Sequence, residues 1–189
     1  MRSRLAGGML AFGLLVAIAC MVPLRPASAA GTLVQTTNAS NGGATSVSVS
    51  YVSSVTANNL LVVICGANSA AATITGPAGF TTARNDASTA TAPGQGIFYK
   101  IASGSESSIS CSTSASVSIG IQIYEYSGMA ASRPLDATNT ALSSGSVGLS
   151  AASGNVTTTY ANDLLIAGIT ANGGTTISSW SNSFVQENS

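Results

Sequence analysis

The sequence predicts an all-β protein, an antiparallel β-sandwich of jelly-roll-like or immunoglobulin-like type. Several short runs alternate apolar and polar residues with period two, as half-buried strands do. Clusters of Gly, Asn, Ser and Pro separate these runs. No segment carries a sustained helical stripe of good helix formers, which argues against a parallel sheet because its crossovers are usually helices.

The predicted strands begin at residue 32. In "TSVSVSY", Val47, Val49 and Tyr51 share one face and serines fill the other. "NLLVVICG" is apolar on both faces, which predicts a central strand. "GIFYKIA", "SSISCSTS" and "SVSIGIQIYEYSG" are three further predicted strands, and "NASNGGA", from Asn38, is one of the predicted turns.

The chain also repeats itself at an offset of 104 residues. "TANNLLVVICGAN", from Thr56, matches "YANDLLIAGITAN", from Tyr160, and Phe80 then matches Phe184. Asn or Asp before an apolar strand can close a turn with left-handed backbone, so we expect two related halves with equivalent hairpins. Convergence of strand entries onto the same residues is the alternative.

The second half stops early. Three predicted strands follow Phe80, but only five residues follow Phe184. A sandwich without those strands has an exposed edge and an uncovered core face. We therefore expect that the chain is a fragment lacking its C-terminal strands, or that another chain supplies them.

Residues 1–29 have the features of a secretory signal peptide. Arg2 and Arg4 precede an apolar run, and "ASAA" supplies an A-x-A cleavage site, so the mature chain is expected to begin at Ala30. Residues 30–189 then form a single β-sandwich domain, secreted or at the cell surface, with no membrane contact after cleavage. An uncleaved anchor and a lipoprotein attached through Cys20 are the alternatives.

Charge argues against a nucleic-acid partner. The chain is 45% hydrophobic and 6% charged, with six basic and six acidic residues. Arg2, Arg4 and Arg25 belong to the signal segment, so three basic residues face six acidic ones after cleavage, a net charge of −3. No cluster of Lys and Arg remains to contact phosphates.

Two cysteines, Cys65 and Cys111, remain after cleavage. An exported chain meets an oxidising compartment, so we expect them to form a disulfide if their strands are neighbours. Two buried free thiols are the alternative.

We find no catalytic motif in this sequence. It has no histidine, which excludes Ser-His-Asp and Cys-His catalysis and histidine metal sites, and no cofactor or metal is expected. Lys100, the only lysine, is read as a strand residue rather than half of a Ser-Lys dyad. Glu125 continues an apolar strand face, so we expect it to accept backbone N–H bonds from the following loop or to pair with Arg133. A ligand-binding role for Glu125 is the alternative.

Aromatic residues give a second candidate site. Tyr124 and Tyr126 share a strand face, and Trp180 lies in a polar segment. Exposed, these rings could stack on sugars. The alternative is that the tyrosines cover the second face of the sheet and Trp180 packs over its end.

At "ANNLLVV", "YEYSG" (Tyr124 to Gly128) and "RPLDAT" (Arg133 to Thr138) the chain resembles a family of uncharacterised secreted bacterial β-sandwich proteins. The order of these short motifs over residues 32–187 carries the resemblance. Members continue into an acidic loop and a closing hairpin that this chain lacks. The resemblance implies a place among large surface or secreted proteins, and it implies no catalytic or binding residue.

These observations favour a non-catalytic module with a structural or adhesion role. They identify no partner, and polysaccharides or other cell-surface components are the candidates. A carbohydrate-binding module that uses exposed aromatics, Tyr124, Tyr126 or Trp180, is the alternative. A secreted enzyme of unknown class comes third.

Overall fold

A computed structural model of the protein describes residues 31–68, 70–139 and 154–171. Within these ranges the regular structure is entirely β. The strands are β1 (Thr32–Ser50), β2 (Leu60–Ala67), β3 (Ile74–Thr75), β4 (Thr81–Asp86), β5 (Gly94–Ile101) and β6 (Ser108–Ser127).

All the strand pairs are antiparallel, and the strands form one connected sheet. The order is β1-β6-β2-β5-β4, and the short β3 pairs separately with β6. The antiparallel all-β prediction is confirmed, and β2 is the central strand that its two apolar faces predicted. The more specific arrangement as a sandwich of two sheets stays a prediction.

Two boundaries of the predicted strands are wrong. The predicted turn "NASNGGA" lies inside β1. The register with β6 shifts between Asn41 and Ala44, where β1 has the extra residue, and between Ala44 and Ser46, where the extra residues are on β6. The predicted strands "SSISCSTS" and "SVSIGIQIYEYSG" are parts of the single strand β6. The reason is tertiary: β1 and β6 pair on both sides of the irregularity, so the chain continues through it as a bulged strand instead of reversing.

Strand β6 bends sharply in its middle. Cys65 on β2 pairs with Ile121, yet its Cα also lies 6.4 Å from that of Cys111, ten positions earlier on β6. A straight strand would separate residues 111 and 121 by about 33 Å. The bulges between β1 and β6 therefore fold the sheet over, and the early half of β6 covers β2.

This bend divides the interior into two cores. The first core lies between the folded halves and includes Val47, Val49, Tyr51, Leu61, Val63, Cys65, Phe98, Ile109, Cys111, Ile119, Ile121 and Ile123. The second core lies on the other side of the sheet and contains Leu60, Val62, Ile64, Tyr124 and Tyr126. Alternation along "TSVSVSY" and "GIFYKIA" sorts side chains as predicted: Val47 and Phe98 are in the first core, and Ile97 packs against the second.

Residues 154–171, hereafter the C-terminal segment, lie against the second core. Leu164 and Ile166 pack on it, and a Cβ added to Gly66 on β2 would lie 2.7 Å from Thr170 Oγ1. The Gln95 side-chain amide of β5, oriented to satisfy its neighbours, donates to the carbonyl of Gly168. The segment therefore runs close over β2 and β5.

The predicted hairpin equivalence holds at the turn and not along the strand. Asn58 and Asn162 have left-handed backbone with φ of 70° and 68°, at matching positions of the repeat. The residues after Asn58 form β2, whereas residues 163–171 have no regular secondary structure. The difference is in the neighbours, because β2 lies between β5 and β6 and no described strand pairs with the C-terminal segment.

The predicted signal peptide, residues 1–29, lies outside the described residues, as does Phe184. In the part of the chain that the structure describes, no helix has the length and apolar character needed to cross a membrane.

Candidate functional site at Glu125

Glu125 is a fully buried carboxylate, with 0% of the residue exposed to solvent. It follows Ile119, Ile121 and Ile123 on one face of β6, because alternate residues of a strand point the same way. The predicted continuation of the apolar face by a carboxylate is therefore correct. A buried carboxylate needs hydrogen bonds to replace its lost hydration.

Three donors surround this carboxylate. The backbone N–H of Thr56 and the Asn59 Nδ2 donate to Glu125 Oε1, at 2.8 and 2.6 Å. Gln35 Nε2 donates to the other oxygen, Oε2, at 2.5 Å. Both oxygens of Glu125 are therefore engaged by the protein itself.

The donors come from β1 and from residues 51–59, which connect β1 to β2. Gln35 also binds the backbone of Ser53 twice: its Oε1 accepts from the N–H at 3.0 Å, and its Nε2 lies 3.2 Å from the carbonyl. At the end of the connection, the N–H of Asn58 donates to the carbonyl of Ala102, next to β5. Glu125 and Gln35 together hold this connection over the end of the sheet.

The prediction that Glu125 binds the loop after β6 or Arg133 is wrong. The structure pairs it with neither the loop after β6 nor Arg133, which is exposed. The loop after β6 leads instead to the C-terminal segment, where Asp136 Oδ2 accepts from the N–H of Thr159 at 2.6 Å. The end of β6 lies between β1 and β2, so the connection between those two strands is what reaches Glu125.

Tyr124 and Tyr126 lie in the second core and are each 6% exposed. Their rings stack with centroids 6.2 Å apart, and the Tyr124 hydroxyl donates to Gln122 Oε1 at 2.9 Å. Neither ring offers a free face to a sugar in this structure. Trp180, the third predicted aromatic, lies outside the described residues.

Cys65 and Cys111 form a disulfide between β2 and the early half of β6. Their Cα atoms are 6.4 Å apart, within the usual range for such a bond. Both residues are buried in the first core, so the bond ties the folded half of the sheet to its central strand.

A shallow depression of about 460 Å³ lies between residues 51–55, in the connection from β1 to β2, and residues 104–107. At its rim Lys100 Nζ lies 2.6 Å from Glu106 Oε1. Burial alone would raise the pKa of Glu106, but hydrogen bonds from Lys100 and Ser103 outweigh it and lower this pKa to about 2. Lys100, the predicted strand residue, therefore serves as a charge partner for this turn.

Tyr51 lines the same depression. Its hydroxyl is buried and has no hydrogen-bond partner within the described ranges. Burial raises the pKa of Tyr51 well above its ordinary value, and the carboxylates of Glu106 and Glu125 add to the effect. The raised pKa of the Tyr51 phenol and the lowered pKa of the Glu106 carboxylate both lie far from neutral pH, so this pair is not a general base tuned to pH 7. Among the described residues, no group of three or more His, Cys, Asp or Glu side chains could hold a metal ion.

Comparisons with known proteins give no relative: no protein-family model, curated protein or solved structure matches the chain. The roles of Glu125, its donors and the disulfide therefore follow from their geometry in this structure alone. The resemblance to secreted bacterial β-sandwich proteins stays a prediction.

Proposed function

We propose that the chain is a non-catalytic β-module of a secreted or cell-surface protein, with a structural or adhesion role. The observation that carries this proposal is the state of Glu125. Its two oxygens accept three hydrogen bonds from the protein, and the residue is 0% exposed. A general acid or nucleophile must reach its substrate, whereas this carboxylate is used to hold a connection in place.

Two further observations support a place outside the cell. The disulfide between Cys65 and Cys111 suits an oxidising compartment, where such bonds form and persist. The apolar segment with its A-x-A site precedes the domain. The proposal therefore includes export through residues 1–29.

Export is tested by expressing the whole chain in a bacterial host and fractionating the cells. Mass spectrometry of the exported chain should find Ala30 at the N-terminus and Cys65 bonded to Cys111. A product that stays in the cytoplasm with residues 1–29 intact would contradict the proposal.

Adhesion is tested with the purified mature chain on arrays of polysaccharides and on intact bacterial surfaces. We expect binding that Glu125→Gln reduces only in proportion to its loss of folded protein. Hydrolysis of any array substrate, lost in a folded Glu125→Gln variant, would refute the non-catalytic proposal.

The carbohydrate-binding alternative now depends on Trp180, since the rings of Tyr124 and Tyr126 are covered. Trp180→Ala should abolish glycan binding if this alternative is correct. Tyr126→Phe is the matched control, because it keeps the buried ring.

A further inference from the structure

The two halves of the repeat differ in what covers them. In β2, Leu61 and Cys65 are both 0% exposed and face the first core. Their matches in the C-terminal segment, Leu165 and Ile169, are 48% and 40% exposed. The inward-facing positions agree, because Leu60 belongs to the second core and its match Leu164 packs against it. One face of the segment is therefore seated and the other is open.

The backbone of the segment is open as well. Beyond the turn at Asn162, no backbone–backbone hydrogen bond within the described ranges reaches residues 164–171. Side-chain bonds from Gln95 engage only residues 168–170. Unpaired N–H and C=O groups beside an apolar side-chain row are the features to which an extended peptide adds.

One polar side chain also lacks its partner. Asp163 occupies the position of Asn59, the residue whose amide donates to Glu125 on the neighbouring strand β6 at 2.6 Å. Asp163 Oδ2 is buried, and no described residue hydrogen bonds to it. Because Asp163 carries an acceptor where Asn59 carries a donor, the missing partner must supply a donor.

We propose that the C-terminal segment binds a β-strand of another polypeptide, which pairs beside residues 164–167. The incoming strand resembles β6, with apolar residues at alternate positions. At the position equivalent to Glu125 of β6 it carries Lys, Arg or an amide. In the first half, Glu125 pairs with Leu61, so the donor lies opposite Leu165 and reaches Asp163. This inference rests on the proposed structural or adhesion role and names one partner for it.

A second copy of this chain does not supply that strand. Its own β6 already has β1 on one side and β2 on the other. Its residue at the decisive position is also a carboxylate, Glu125, which would face Asp163 and repel it. The opposite charge requirement selects a different polypeptide.

The probe is a fluorescein-labelled peptide of residues 118–128, "SIGIQIYEYSG", carrying Glu125→Lys, with the unchanged peptide as its matched control. Fluorescence anisotropy against the full chain after signal cleavage should show at least about tenfold tighter binding of the lysine peptide, the ratio that a modest ionic hydrogen bond gives. Asp163→Asn should bring the two peptides within about twofold of each other.

Variants of the exposed face complete the test. Leu165→Asp should remove binding of the lysine peptide, whereas Val52→Asp, at a valine that is 76% exposed outside the segment, should not. Amide exchange of residues 164–167 should be fast in the free chain and slow with the peptide.

Equal affinity of both peptides, failure of both to bind, or slow exchange in the free chain would overturn the proposal, and so would a stable dimer by light scattering. None of these outcomes concerns export or adhesion, so the proposed function stands or falls separately.

Discussion

Replacing Glu125 by Gln should lower the free energy of unfolding more than any other single carboxylate-to-amide exchange among the described residues. The amide keeps one acceptor oxygen and places an NH₂ group where the other oxygen was. If the NH₂ group pointed toward Thr56 and Asn59, it would meet two hydrogen-bond donors. It will therefore point toward Gln35, where it meets only one. Gln35 cannot turn its own oxygen inward without losing its bond from the N–H of Ser53.

The minimum damage is therefore one lost ionic hydrogen bond and one stranded donor. Together these cost about 2–4 kcal/mol of the free energy of unfolding. The assay is urea denaturation of the oxidised mature chain at pH 7, followed by far-UV circular dichroism. Exchange of the Thr56 amide hydrogen, measured by mass spectrometry, should also become faster, because its acceptor is weakened.

Asp136→Asn is the matched control. It makes the same exchange at an exposed side chain with one donor, the N–H of Thr159, which an amide oxygen can still accept. Its free energy of unfolding should stay within about 0.5 kcal/mol of the unsubstituted chain. A Glu125→Gln variant that is equally unaffected, with an unchanged denaturant slope, would refute the structural role given to this carboxylate.

Three other predictions concern the disulfide, the rim ion pair and the repeated turn. Replacing both Cys65 and Cys111 by Ala should cost about 4 kcal/mol, the loop-closure value for their separation of 46 residues, and urea melts of the two chains would show it; no loss would mean that the bond does not restrain the unfolded chain. The folded pKa of Glu106 is about 2 against an ordinary 4.5, so its stabilising contribution is present above pH 4.5 and disappears as the pH falls to 2. Lys100→Met should therefore flatten the pH dependence of the thermal midpoint in that window, and an unchanged slope would contradict the ion pair. At Asn58, with φ of 70°, Val should cost about 1–2 kcal/mol while Gly is tolerated, and equal melts for the two variants would contradict the left-handed turn.

Local pattern was sufficient for the faces of the strands. Alternation placed Val47, Val49 and Tyr51 on a buried face and marked β2 as central, because side-chain direction in a strand has a period of two residues whatever its neighbours are. The same logic placed Glu125 on the apolar face of β6. Its burial follows from position, and a buried carboxylate must find donors.

The identity of those donors was not available from the pattern. Gln35 and Thr56 are 90 and 69 residues away along the chain, and only the pairing of β1 and β2 around β6 brings them to Glu125. The loop after β6 was the nearer choice by sequence, and the structure uses it elsewhere. Gln35 lies among polar residues of β1, so the local sequence gives no sign that its side chain binds a buried carboxylate.

The antiparallel β class, the sorting of apolar side chains and the turn shared by Asn58 and Asn162 could be predicted, since each depends on a few adjacent residues and their backbone preferences. The pairing of distant segments makes "NASNGGA" part of β1 and folds β6 back over β2. It also buries one copy of the repeat as strand β2 and leaves the matching C-terminal segment without a paired strand and open on one face. The physical reason is that strand pairing depends on distant segments. The local alternation of residues sets which face a side chain is on, and the segments that pack nearby in space determine whether that face is buried.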